Sequence, residues 1–358
     1  MKKIILRTIA GLIIIFLLFA GYFLYIKKQD NYAAIADNFY SSSYDMSRPI
    51  LLPSLFINGE RFYIKMATDN GDTLLAYGDS GGGISMFNPF KTDKGGLAQK
   101  IRSGIFKGLM PMHYVLFSDI VHDKRIPPPV QLRDKILHTP FARVTASMLL
   151  VPPKDDELKF INSMMDFDIF LGQNFFMGKA WTIDYKTQQI WVNTPIAIAD
   201  ALKPGVQKIG IKKNANGVPT YGHASMVIEV NGELIEVLFD TGATITLSDD
   251  GKKEFNTTVK SLGGSFIARS IFDKWHHDHP EWKFYPHADG KNDVIEVPLV
   301  KIGGHEVGPV LFASRPDAVW SQDMINTMDK VVKGAIGGSA LKYLKVTIDY
   351  NSELLKVE

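Results

Sequence analysis

Two stretches of this chain repeat each other. Asp79-Ser-Gly-Gly-Gly-Ile-Ser-Met86 and Asp240-Thr-Gly-Ala-Thr-Ile-Thr-Leu247 match in character position by position, and each follows an Asn-Gly step, Asn58-Gly59 in one case and Asn231-Gly232 in the other. A second pair of marks lies downstream. Phe170-Leu171-Gly172 comes 93 residues after Asp79, and Ile336-Gly337 comes 97 residues after Asp240. Twelve residues beyond each glycine stands an aspartate, Asp184 or Asp349, inside the same Thr-Ile-Asp-Tyr tetrapeptide. The same marks in the same order at similar spacing describe a duplicated unit, which restricts the chain to folds built from two like halves.

The unit reads as β structure. Residues 55–64 and 226–237 each place Asn-Gly between two apolar-alternating runs, a strong short hairpin signal. Residues 181–185 and 346–350 read as strands. Helix signals are few and short, one of them over residues 321–333. The segment from Asn193 to Tyr221 collects Pro195, Pro204, Gly205, Gly217 and Pro219 and reads as a connection between halves. The expected division is a transmembrane signal-anchor over 1–28, a stalk over 29–48, a first lobe over 49–193, a linker over 194–220 and a second lobe over 221–358.

The anchor rests on residues 8–26, nineteen residues without a charge. As a helix they span about 30 Å, the thickness of the hydrocarbon layer. Tyr22 and Tyr25 sit where an aromatic belt belongs. Large residues surround Ala20-Gly21, so a signal-peptidase site is poorly formed there and an uncleaved anchor is the preferred reading. Lys2, Lys3 and Arg7 favour an inside N-terminus, nearly balanced by Lys27 and Lys28; the large domain is expected outside the cytoplasm. Residues 1–28 hold five basic and no acidic side chains, leaving 35 basic and 38 acidic, a net of −3, on the rest. That balance argues against nucleic acid as a partner. The chain has no cysteine, which excludes disulfides, thiolate metal sites and a thiol nucleophile.

An apolar run, then Asp-Ser/Thr-Gly and a small residue, is a strand entering a tight loop that presents one carboxylate at its end. Gly at the third position permits close approach of other atoms. The hydroxyl of Ser80 or Thr241 can brace the opposite loop. Two such loops about a pseudo-twofold axis present two carboxylates, and two carboxylates about 3 Å apart share a proton. One can then take a proton from water while the other supports a carbonyl oxygen.

Asp79-Ser80-Gly81 and Asp240-Thr241-Gly242, with Leu171-Gly172 and Ile336-Gly337, resemble the aspartic peptidases of the pepsin and retropepsin kind. The stretch Leu238-Phe-Asp-Thr-Gly-Ala243 resembles the retropepsin form closely, and the single duplicated chain is similar to pepsin. The resemblance implies a mainly β fold of two retropepsin-like (pepsin-like) β-barrel lobes behind an N-terminal transmembrane helix. It implies a membrane-tethered endopeptidase, a monomer without metal or cofactor, acting on polypeptide substrates. Asp79 and Asp240 match the catalytic aspartates. Ser80, Gly81, Thr241, Gly242, Gly172 and Gly337 match the supporting positions. An inactive peptidase-fold binding protein, or a homodimer built on Asp240 alone, is the alternative. Gly78 stands where an apolar residue is usual, and Gly82-Gly83 replace Ala/Ser and Thr, which points to a looser first loop. Residues 261–267 resemble a retropepsin flap in their glycines, and a first-half counterpart is expected between Gly95 and Tyr114.

Other motifs compete with this reading. Gly78-Asp-Ser-Gly-Gly82 also matches the nucleophile signature of trypsin-like serine peptidases, with Ser80 as nucleophile. Those enzymes place the base His before the Ser, whereas the first histidine here is His113, so chain order fails. Residues 275–282 carry His276, His277 and His279, and their spacing suits no standard metal pair; a polar loop between aromatic anchors is expected. Asp184 and Asp349 are expected to cap turns, and residues 123–129 to form an exposed loop.

Overall fold

The structure is a computed structural model that describes residues 2–35, 44, 47–90, 94–132, 136–139, 142–152 and 166–358. It is mainly β, preceded by one long helix, Lys2–Ile35. The stretch Lys2–Gln29 of that helix is long and apolar enough to cross a membrane. The helix runs past the expected end at residue 28, so the stalk begins as helix; most of residues 36–46 lie outside the described residues.

Both Asn-Gly steps form hairpin turns. Asn58, Gly59, Asn231 and Gly232 have φ of 52°, 69°, 50° and 78°, the left-handed values a tight hairpin turn demands. The second hairpin closes with Val230 opposite Glu233. The first pairs Ile57 with Arg61 and leaves Glu60 as an extra residue in the turn.

The duplication is visible strand by strand. In the first half one sheet runs Arg61–Ala67, Thr73–Gly78, Ile169–Leu171, Met86–Phe87, Met148–Val151, Met110–Leu116, Arg102–Phe106. In the second half another runs Ser225–Val230, Glu233–Phe239, Gly334–Ile336, Ser265–Ala268, Val310–Arg315, Asn292–Val297, Lys283–Asp289. Each neighbouring pair has the same parallel or antiparallel sense in both halves. Among the described residues neither sheet closes into a barrel. In the second half Thr244–Thr246 leaves the main sheet and pairs with Ser261–Gly263 alone.

A six-stranded sheet joins the halves in the order Ile50–Leu52, Gln189–Val192, Ala180–Asp184, Lys345–Asp349, Leu354–Val357, Val206–Lys208. Each half supplies three strands. At the centre Thr182 pairs with Thr347, the same position of the repeated tetrapeptide, and their hydroxyls lie 2.8 Å apart. A pseudo-twofold axis therefore passes between them. Val206–Lys208 falls inside the expected linker, which contributes a strand, with Ile209 and Ile211 buried behind it. The main apolar cluster is continuous across the halves, from Phe62 and Trp181 to Val237 and Ile348.

Three local expectations are corrected. Residues 321–333 hold a π turn, Val319–Asp323, and a 3₁₀ turn, Met324–Asn326, in place of a regular helix. Trp275 to Asp278 end a helix, Arg269–Asp278, because Phe272 and Trp275 at i,i+3 spacing bury one face. His276 stacks on Phe284, and His279, just beyond the helix, stacks on Trp282. Residues 123–129 form a loop, but Ile126, Pro127 and Pro129 are buried.

Candidate active site

The strands Thr73–Gly78 and Glu233–Phe239 are buried over their last three residues, and each ends at an aspartate. The Asp79 N–H donates to Leu171 O and the Asp240 N–H to Ile336 O, both at 2.9 Å. Each loop is thus tied to the neighbouring strand just before its glycine. Gly172 and Gly337 are required by closeness. A β-carbon on Gly172 would stand 1.9 Å from Gly83 O, and one on Gly337 would stand 2.5 Å from Gly264 O. Their N–H groups donate to Ser85 Oγ (3.0 Å) and Ser265 Oγ (3.1 Å).

The two loops brace one another reciprocally. Ser80 N–H donates to Thr241 Oγ1, and Thr241 N–H donates to Ser80 Oγ, each at 3.0 Å. The Ser80 hydroxyl donates onward to Phe239 O (3.0 Å) and the Thr241 hydroxyl to Gly78 O (3.2 Å). Ser80 is fully buried in this brace, so its hydroxyl serves as a strut. Gly81 and Gly242 line the opposite carboxylates: a β-carbon on Gly242 would meet Asp79, and one on Gly81 would meet Asp240.

The Asp79 and Asp240 carboxyls meet across the two loops, close enough to interact directly. Burial, then the neighbouring Asp240 charge, holds the Asp79 carboxyl well above the ordinary carboxylate range. Burial also raises Asp240, opposed by hydrogen bonds that favour its ionised form. One of these comes from the Gly242 N–H to Oδ1 at 3.0 Å, whereas Asp79 Oδ1 is enclosed with no hydrogen-bond partner. Both carboxyls are raised and the pair titrates as a unit. Both carboxyls belong to one chain, so the pair needs no second copy.

The departures in the first motif have steric causes. A β-carbon on Gly78 would stand 2.2 Å from the Phe62 ring, and one on Gly82 would stand 2.4 Å from the Phe170 ring. Aromatic rings fill the space that side chains take elsewhere at these two positions, whereas Gly83, the third departure, is exposed and has nothing within 4 Å of where a β-carbon would stand. Four residues with no local signal complete the frame. Tyr77 OH donates to Gly242 O (3.0 Å), and His223 Nε2 donates to Gly82 O (2.9 Å). Arg61, 1 % exposed, donates to Ser261 Oγ and Ser261 O, both at 3.0 Å. Glu60 accepts the Gly263 N–H (2.8 Å) and pairs with Lys342 (3.0 Å).

A cavity of about 460 Å³ opens beside the carboxyls. Its far wall is Thr244, Thr246, Phe266, Arg315 and the hairpin turn Asp289, Gly290, Lys291, Asn292. Arg315 lies over the Phe266 ring and pairs with Asp289 (2.7 Å), which also accepts the Thr246 N–H (2.7 Å). The hairpin of residues 283–297 therefore covers the site. Residues 261–267, expected as a flap, are buried strands behind the Asp240 loop; Gly263 packs on Glu60 and Gly264 on Ile245. In the first half, Arg102–Phe106 and Met110–Leu116 form a hairpin at the sheet position of residues 283–297, and none of its residues lines the cavity. Asp184 and Asp349 accept backbone N–H groups of the turns that follow them. Among the described residues no group of three or more His, Asp or Glu is arranged to hold a metal ion. No protein-family model matches the chain, and a search of curated proteins finds no match.

Proposed function

We propose that this chain is a membrane-tethered aspartic endopeptidase of the pepsin and retropepsin kind. Two retropepsin-like lobes lie outside the cytoplasm, and a water activated between Asp79 and Asp240 hydrolyses a peptide bond. The observation that carries the reading is the close carboxyl pair, Asp240 buried and Asp79 half-buried, on two cross-braced loops open to a cavity large enough for a substrate side chain. Asp240, the better supplied with N–H donors, takes a proton from the water as it attacks the carbonyl carbon. Asp79 donates its proton to the developing oxyanion. Asp240 passes the proton it took from water to the amine nitrogen, and the C–N bond breaks. A hydroxyl of the tetrahedral diol returns its proton to Asp79 as it becomes the product carbonyl, so the pair ends with one proton as it began. The hairpin of residues 283–297 excludes bulk water and aligns an extended peptide. The membrane helix holds the site near the bilayer and takes no part in the chemistry.

The test uses the full-length protein in detergent or nanodiscs with a peptide library read by mass spectrometry. Asp79→Asn and Asp240→Asn each lower turnover by at least about 100-fold, with the circular dichroism spectrum unchanged. Cleavage by either variant at the wild-type rate refutes the pair. Peptide capture without turnover by the wild-type protein, kept in the double Asn variant, would make the fold a binding module.

A further inference from the structure

The first-half hairpin, Arg102–Phe106 with Met110–Leu116, holds the sheet position that the cavity-covering hairpin holds in the second half. Its turn meets a different neighbour. Gly108, at φ 74°, packs against Ile26 of the N-terminal helix, where a β-carbon on the glycine would lie 3.6 Å from Ile26 Cγ2. Ile26 is 3 % exposed and is the single buried residue among Lys2–Gln29. It is also the last residue of the uncharged stretch 8–26, followed directly by Lys27 and Lys28. In a membrane-crossing helix this is the level where hydrocarbon gives way to headgroups.

The hairpin turn is thereby fixed at that level, and its composition suits it. Leu109 and Met110 are 59 % and 52 % exposed, two large apolar side chains side by side on a turn. Lys107 is exposed next to them, and Lys27 and Lys28 are exposed on the helix. Apolar side chains flanked by lysines fit a surface whose interior is acyl chain and whose rim carries phosphate.

We propose that the Lys107–Gly108–Leu109–Met110 turn is a second membrane contact. Leu109 and Met110 enter the lipid interface, while Lys107, Lys27 and Lys28 meet anionic headgroup phosphates. The first-half hairpin is then pinned to the bilayer, while the turn of the second-half hairpin lines the cavity beside the carboxyl pair. The inference rests on the reading that the N-terminal helix crosses the membrane, and the test separates the two.

The chain has no cysteine, so single reporters can be placed cleanly. Full-length Leu17→Cys, Leu109→Cys and Leu202→Cys proteins are spin-labelled in nanodiscs of phosphatidylcholine with and without phosphatidylglycerol. Collision with oxygen, which concentrates in lipid, is compared with collision with a water-soluble nickel chelate. Leu202 is 97 % exposed and serves as the water reference. The expected oxygen-to-nickel ratio at Leu109→Cys is severalfold above that at Leu202→Cys and below that at Leu17→Cys. Phosphatidylglycerol raises it, and Lys107→Glu cancels that rise. A Leu109→Cys label as wet as Leu202→Cys, with Leu17→Cys in lipid, overturns the membrane contact and spares the anchor. A wet Leu17→Cys label overturns both. A Leu109→Cys label shielded from both quenchers marks the turn as a protein contact and also overturns the proposal.

Discussion

A β-carbon on Gly242 would stand 2.1 Å from Cγ of Asp79, although the two residues belong to opposite halves of the chain. The mirror relation holds at 2.3 Å between Gly81 and Cγ of Asp240. Each loop therefore forms the wall against which the other loop's carboxylate rests. Gly242→Ala and Gly81→Ala displace a carboxyl by an ångström or more, and kcat should fall about 100-fold. Gly83→Ala, with nothing within 4 Å of its new carbon, is the matched control and should keep its activity. Steady-state peptide cleavage compares the three; an unchanged kcat in Gly242→Ala would mean that the wall is not needed.

The raised carboxyl makes stability depend on pH. Unfolded Asp79 loses its proton near pH 3.9, while the folded residue keeps its proton to higher pH because of burial and the Asp240 charge. Between those two points the native state binds more protons than the unfolded state, so wild-type stability declines as pH rises. Asp79→Asn lacks this decline. The melting temperature of Asp79→Asn minus that of wild type should grow from about pH 4 toward neutrality and stay level below that range. Thermal unfolding across the range reads it, and a difference that shrinks with rising pH would contradict the assignment.

The reciprocal brace predicts strong coupling. Ser80→Ala and Thr241→Ala each leave buried backbone groups without a partner, at a cost of about 1–3 kcal/mol apiece. Each hydroxyl makes its own bonds, but both tie the same two loops together, so loosening the loops with one substitution weakens what the other removes, and the double variant should lose less than the sum of the two. Urea unfolding of the four proteins gives the coupling; strict additivity would show that the hydroxyls act separately.

Lys179 is a buried amine that donates to backbone oxygens, Phe175 O at 2.9 Å and Met177 O at 3.4 Å, and lies 5.8 Å from the centre of the Phe175 ring. Burial pushes its pKa down to about 7. From there up to the unfolded value near 10.4 the unfolded state binds more protons, so this residue makes wild-type stability rise with pH over that window. Lys179→Met should raise stability by about 1 kcal/mol or more below pH 7 and flatten that rise. A variant less stable than wild type at pH 6 would show that the amine's hydrogen bonds outweigh its desolvation.

The duplicated site was legible because its marks are local and repeated. Asp79 and Asp240, their hydroxyl neighbours and the two later glycines recur at nearly fixed spacing, and repetition separates a built loop from an ordinary turn. The covering hairpin was not legible. Gly263-Gly264 imitate a flap because close packing on Glu60 and Ile245 demands glycine as firmly as a mobile turn does. The helix Arg269–Asp278 was hidden because only Phe272 and Trp275 are fully buried, amid charged and polar neighbours. Glu60 meets Gly263 across 203 residues of chain, and Arg61 meets Ser261 across 200, distances at which no local pattern survives. The strand Val206–Lys208 is three residues long among prolines and glycines, too short to show an alternation.

Cut between Asn193 and Val206, the chain would give two fragments, each with half of the central sheet ending at an unpaired edge. Those edges are Ala180–Asp184 and Lys345–Asp349, which fit each other through five registered residue pairs about Thr182 and Thr347. The connecting segment then supplies proximity more than shape: it sets an effective concentration, in the millimolar range for short tethers. The intact protein behaves as a permanently self-saturated heterodimer, and a nicked one would assemble its carboxyl pair only as fast, and as fully, as dilution permits.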